Sequence, residues 1–150
     1  MPNASKPKLI EWRRENVFTR AEKPTNVKKA HALGYRAKQG FVVVRTRIHK
    51  GARIRPKARK GRDPLKTGRR YSPDQSWQTV AEKRVARRFP NMEVLNSYYV
   101  GEDGTQTFYE VLLVDPKHPV IKADQKINWI CSQRKRAFRG LTASAKRSRK

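Results

Sequence analysis

Cations and acids balance, seven against seven, in one long stretch of this sequence, residues 76–130. Elsewhere the cations dominate: 13 against 3 in residues 1–50, 9 against 2 in 51–75, and 8 against none in 131–150. The neutral stretch also holds 15 of the 30 Leu, Ile, Val and Phe, so a core is expected to be built around it. The formal net charge is +25, and self-repulsion of that size disfavours a compact isolated chain unless a polyanion neutralises it. Nucleic acid is the obvious polyanion. The 150 residues suit one domain, expected to have ordered parts at 35–48 and 72–131.

Within the neutral stretch, EVLNSYYV, the turn GEDGT and QTFYEVLLV predict a β-hairpin closed by Asp115-Pro116. Glu110 is expected to face outward, and Glu102 and Asp103 read as turn residues, since no third ligand stands at metal-binding spacing. Before the hairpin, Trp77, Ala81, Val85 and Phe89 recur every fourth residue with Val80 beside them, which predicts an amphipathic helix. Ser72 is its expected cap, with Pro73 at the first helical position and Pro90-Asn91 as its end. Lys83, Arg84, Arg87 and Arg88 lie mostly off the apolar stripe and read first as a solvated face. Upstream, FVVVRTRIHK at 41–50 reads as a strand with Val42, Val44, Thr46 and Ile48 on one side. Phe41, Arg45 and Arg47 share the other side, which is expected to meet water or RNA.

A short helix is expected after Thr25 or Asn26, ending at Gly34, and another within KLIEWRREN. Around Trp129 and Ile130 the sequence suggests a helical turn and a short buried piece. The fold class is therefore α+β, a small, mainly antiparallel sheet packed with helices and carrying basic extensions.

The longest extension is the loop 49–71, where Gly51, Gly61, Gly68, Pro56 and Pro64 interrupt any apolar period. So long a loop in a compact domain is functional or disordered. From Lys50 through Arg53, Arg55, Lys57, Arg59, Lys60, Arg62, Lys66, Arg69 and Arg70 it carries ten cations with Asp63 as its one acid. Guanidinium forks bond phosphate oxygens in pairs, and an extended chain rich in Gly and Pro can thread between RNA strands, ordering when bound. The segment 132–150 repeats the pattern with Arg134, Lys135, Arg136, Arg139, Lys146 and Arg147, and is expected to be RNA-bound and otherwise disordered.

Chemistry is absent from the same text. Lys66-Thr67 follows Leu65, so no phosphate-binding Gly-Lys-Thr loop is present, and no dinucleotide fingerprint appears. His31, His49 and His118 are dispersed, and Cys131 reads as a small buried hydrophobe. No catalytic constellation, metal site or cofactor is expected. The single cysteine excludes an internal disulfide and points to an intracellular chain, and no apolar run approaches the roughly 20 residues that span a bilayer. Charge alone would also suit a DNA-compacting protein.

Several strings in order carry a more specific message: LGYRAKQG at 33–40, RVA then FPN at 84–91, VLNSYYVGEDG at 94–104, YEVLLVDPKHP at 109–119, NWIC at 128–131 and FRGLT at 138–142. Together they resemble the large-subunit ribosomal protein fifteen family of the archaeal and eukaryotic "e" type, distinct from the bacterial-type fifteen, over roughly residues 9–145. The resemblance implies a structural constituent of the large ribosomal subunit, resident in the cytoplasm. Its partners would be large-subunit rRNA and neighbouring ribosomal proteins, with no membrane and no small-molecule substrate. It also implies RNA contact by Arg36 and Lys38 of the GYRAKQG string. Family members usually begin with a further helical segment and end in a longer basic tail, so this chain is expected to be a shortened member or a fragment.

Overall fold

The computed structural model describes residues 6–51, 53–54, 60–61, 70–71 and 74–148. Ser72 and Pro73 lie outside them, and the helix expected to begin there is capped instead by Ser76, whose Oγ accepts the Thr79 N–H at 3.3 Å. This helix, α3 (Trp77–Arg88), follows α1 (Lys6–Arg14), β1 (Phe18–Ala21), α2 (Val27–Ala32), β2 (Phe41–His49), β3 (Arg53–Ile54) and β4 (Arg70–Tyr71). After it come the hairpin β5 (Glu93–Glu102) and β6 (Gln106–Val114), α4 (Pro119–Ala123), a 3-10 turn at Asn128–Ser132, α5 (Arg136–Arg139) and α6 (Ala143–Arg147). Asn26 caps α2 by accepting the Lys29 N–H at 3.0 Å, and Gly34 turns the chain at φ +97°.

The main sheet has the order β1-β2-β6-β5, every pair antiparallel, with β3 and β4 forming a separate two-stranded ribbon. The alternation expected for β2 is present, yet Val43 and Val44 are both buried. Helix α3 and α5 cover Val44, Val111 and Leu113 on one side, while Trp12 of α1, Ala30 of α2 and Ile121 of α4 join Val43, Phe108 and Leu112 on the other. Both faces are thus covered, contrary to the one-sided strand read from the sequence. Continuous runs such as VVV at 42–44 and VLLV at 111–114 are what a doubly covered strand requires.

Two-sided covering also overturns the outward placement of Glu110. Its side chain is fully buried on the α1–α2 side, where it accepts the Thr25 N–H at 2.9 Å, the Thr25 hydroxyl at 2.5 Å and the Tyr98 hydroxyl. Burial, then the Glu110 charge, pushes the Tyr98 phenol well above its ordinary range, so it stays a donor. Glu82 plays the matching part on the opposite side. Fully buried within α3, it accepts hydroxyl bonds from Ser97 at 2.5 Å, Thr142 at 2.6 Å and Ser144 at 2.7 Å.

Those last two donors belong to the segment expected to be disordered, which instead forms α5 and α6 and buries Ala137, Thr142, Ser144 and Ala145. The Glu93 carboxylate accepts the N–H groups of Lys135 and Arg136, at 2.8 and 3.2 Å, and Thr142 caps α6. Gly140 ends α5 at φ +70°, a conformation that costs glycine little. Hydroxyl and amide donors to the Glu82 and Glu93 carboxylates, together with the inward Arg136, order this stretch.

Replacing Glu82 with Ala would leave three inward hydroxyls without their acceptor. At about 1–3 kcal/mol for each buried group left unsatisfied, and with some re-pairing among Thr79, Thr142 and Ser144, the expected loss is roughly 2–4 kcal/mol. Urea unfolding of the full chain measures it, and protease cleavage beyond residue 141 should accelerate in parallel.

Candidate nucleic-acid interface

Strand β2 delivers the basic loop to one end of the sheet. There Lys50 donates its N–H to the Thr105 carbonyl at 2.8 Å, and its ammonium lies 3.2 Å from Glu102 at the tip of the β5–β6 hairpin. The tip is closed by Asp103, whose Oδ1 accepts the N–H groups of Thr105 and Gln106 at 2.8 and 2.7 Å. Burial raises the Asp103 carboxyl, but those bonds and nearby Arg13 outweigh it and hold the group below the ordinary carboxylate range. Beyond Lys50, the pairing of Arg53 with Tyr71 and Ile54 with Arg70 closes the base of the loop. Its return leg enters α3, whose first residue, Trp77, packs with Ile48 and Tyr109 at this same end. The loop is therefore held at both of its ends. Lys60 and Gly61 are exposed within it, while Arg55, Lys57, Arg59, Arg62, Lys66 and Arg69 lie outside the described residues.

Arg45 and Arg47, expected on an open face, are found beneath α1. The Arg45 Nη2 group donates to both carboxylate oxygens of Glu15, at 2.8 and 2.6 Å, and the guanidinium lies 4.3 Å from the Trp12 ring centre. Arg47 donates to the carbonyls of Trp12 and Arg13 at 3.1 and 2.6 Å, placing positive charge at the carboxyl end of α1. Arg136 is a third inward cation. It is 9% exposed, donates to the carbonyls of Val94 and Leu95 at 3.1 and 3.5 Å, and stacks 4.6 Å from the centre of the Trp129 ring. Burial lowers its pKa, opposed by Glu93 and Glu82. Each guanidinium satisfies groups inside the protein, which the residue type and spacing could not distinguish from an outward role.

Outward cations gather in two places. At the end of the sheet opposite the loop, Arg36 and Lys126 are exposed beside Trp129, itself 43% exposed rather than buried as the sequence suggested. Lys38, in the same turn as Arg36, is bonded to Asp124, and that bond holds the Asp124 carboxyl below its usual range. The turn is fixed by Gly40 at φ +89°, where a Cβ would lie 2.5 Å from Ile121. The second group lies on the α3–α5–α6 side. Here Arg84, Arg87, Arg88, Arg134, Lys135, Arg139, Lys146 and Arg147 are exposed, and the Arg87 guanidinium sits 5.7 Å from the centre of the half-exposed Phe138 ring. Sequence reasoning gives Arg84, Arg87 and Arg88 only a secondary part and does not single out Lys126 or Phe138.

Among the described residues no three His, Cys, Asp or Glu side chains gather as a metal ion would need. No helix there is long and apolar enough to cross a membrane. The arrangement offers cations, exposed rings and a tethered basic loop.

A family model of the L15e type, described as Ribosomal L15, matches residues 1–150. The chain belongs to this family, whose members are non-enzymatic structural constituents of the large ribosomal subunit, associated with its rRNA and proteins.

The inward arginines separate stability from binding. Arg45→Ala removes a mostly buried ion pair and a cation–π interaction, so unfolding free energy should fall by about 1–3 kcal/mol in urea titrations. The salt dependence of RNA affinity, measured on the same folded variant, should stay at the parental slope.

Proposed function

We propose that this chain binds folded large-subunit rRNA and stabilises it through the basic loop 49–71 and the two outward groups of cations. The observation that carries the reading is the tether: the loop leaves and re-enters the body at one end of the sheet, so its ten cations have a restricted reach. A tethered segment loses less freedom on binding than a free tail, and its charges can follow the path between RNA helices. Phosphate neutralisation would supply affinity, while the rigid α+β body would supply orientation and selectivity by shape.

Arg36, Lys60, Arg134, Lys135, Arg139, Lys146 and Arg147 are the described site cations that keep their side chains exposed. Lys38 and Lys50 hold carboxylates of their own chain and can contribute field more readily than a new fork. Arg53, Arg55, Lys57, Arg59, Arg62, Lys66, Arg69 and Arg70 would make the loop's phosphate contacts. Neighbouring ribosomal proteins would meet what the RNA leaves uncovered, and the cytoplasm is where the assembled subunit would work.

Counterion release gives the test. Changing Arg53, Arg55, Arg59 and Arg62 together to Ala should lower the slope of log affinity against log salt by about 0.7–0.9 for each phosphate that is no longer neutralised. Filter binding to a large-subunit rRNA fragment between low and moderate salt reads this directly. A variant that keeps the parental slope removes the loop from the binding surface.

A further inference from the structure

Trp129 stands apart from the other large rings of the sheet's α1–α2 side. Trp12, Tyr35, Tyr98 and Phe108 are buried there, whereas Trp129 is 43% exposed. Its backbone is fixed, because the 3-10 turn seats Ile130 fully in the core and the Ser132 hydroxyl donates to the Trp129 carbonyl at 2.9 Å. Its ring is supported by the Arg136 guanidinium, which is held in turn by the carbonyls of Val94 and Leu95. An exposed indole backed by a buried cation that two backbone carbonyls hold is a rigid platform rather than a loose surface side chain.

The platform borders a groove of about 360 Å³. Leu33, Phe41, Leu95 and Ile127 give it apolar walls, and Arg36 and Lys126 stand exposed at its edge. Asp124, the one carboxylate lining the groove, is already bonded to Lys38. A groove with part of its wall apolar and with cations at its edge fits a planar ring that carries its own anion. An aliphatic protein side chain would use the apolar wall and leave the cations idle; a duplex backbone would use the cations and leave the groove empty.

We infer that the Trp129 groove holds one unpaired RNA base, stacked on or beside the indole, with the flanking phosphates on Arg36 and Lys126. This inference rests on the rRNA-binding reading and adds the site and the conformation of the nucleotide it takes. Stacking of a base on an aromatic side chain contributes about 1–3 kcal/mol, which corresponds to roughly 5- to 150-fold in affinity. Such stacking discriminates RNA conformation without requiring a particular base.

The test compares two RNA hairpins of the same length class, one fully paired and one with a single-nucleotide bulge, binding to the full-length chain at fixed salt. The parent should prefer the bulged hairpin. Trp129→Ala should weaken binding to the bulged hairpin at least fivefold and leave the paired hairpin and its salt slope unchanged, while Trp129→Phe should retain most of the preference. Tryptophan emission should be quenched by the bulged hairpin in the parent and less so in Trp129→Phe. Equal loss for both RNAs, or no loss for either, overturns the stacking site while leaving RNA binding intact. Failure of the parent to bind either RNA in a salt-dependent way overturns the broader reading as well. Trp129 is exposed, so these variants keep the core, and unchanged circular dichroism verifies it.

Discussion

Two buried carboxylates, Glu82 and Glu110, fix the extensions of this chain to the sheet from opposite sides. A buried charge is costly unless hydrogen bonds replace its water. Glu110 meets that demand with the backbone and hydroxyl of Thr25 and the hydroxyl of Tyr98; Glu82 uses Ser97, Thr142 and Ser144. The first set draws the start of α2 onto β6, and the second draws residues 142–144 onto α3 and β5. Neutral donors hold the two carboxylates, so the body closes while most of its cations remain on the surface.

The arginines divide along the same line. Arg45, Arg47 and Arg136 face inward, where a guanidinium satisfies a carboxylate or two carbonyls, and those of Arg45 and Arg136 also lie against an indole. They bind α1 and α5 to the sheet and give the surface its shape. Arg36, Arg87 and Arg134 face outward with no such burial, and the base of the basic loop lies at the far end of the sheet. The chain thus places one residue type in two settings, one internal and one exposed, and the exposed set is the one proposed to meet RNA. Membership in the L15e family fits this division, since a subunit protein needs a defined body as well as charge.

Sequence patterns recover the elements better than their surroundings. The hairpin turn, the stripe of α3 and the asparagine cap of α2 depend on local rules, and each appears where the sequence places it. The alternation of β2 is also present, but alternation does not say what lies above each face; α1 and the Glu15 that follows it supply that answer through bonds to residues thirty or more positions away. Glu82 in AEKRVARR looks like any solvated helix acid until Thr142 and Ser144 arrive from sixty residues downstream. The C-terminal segment departs from expectation for the same reason, as composition registers its charge and not its few hydroxyls. Ring size alone would put Trp129 in the core, whereas its neighbour Ile130 occupies that place.

The central claim is that the outward cations meet RNA and the inward ones do not. Ultraviolet cross-linking of purified large subunits, with cross-linked peptides assigned residue by residue, tests this in the assembled particle. Cross-links to rRNA should concentrate in residues 51–73 and around Arg36, Lys126 and Lys135, with none at Arg45 or Arg47. A loop that cross-links only to protein, or strand arginines that cross-link to rRNA, would contradict the account.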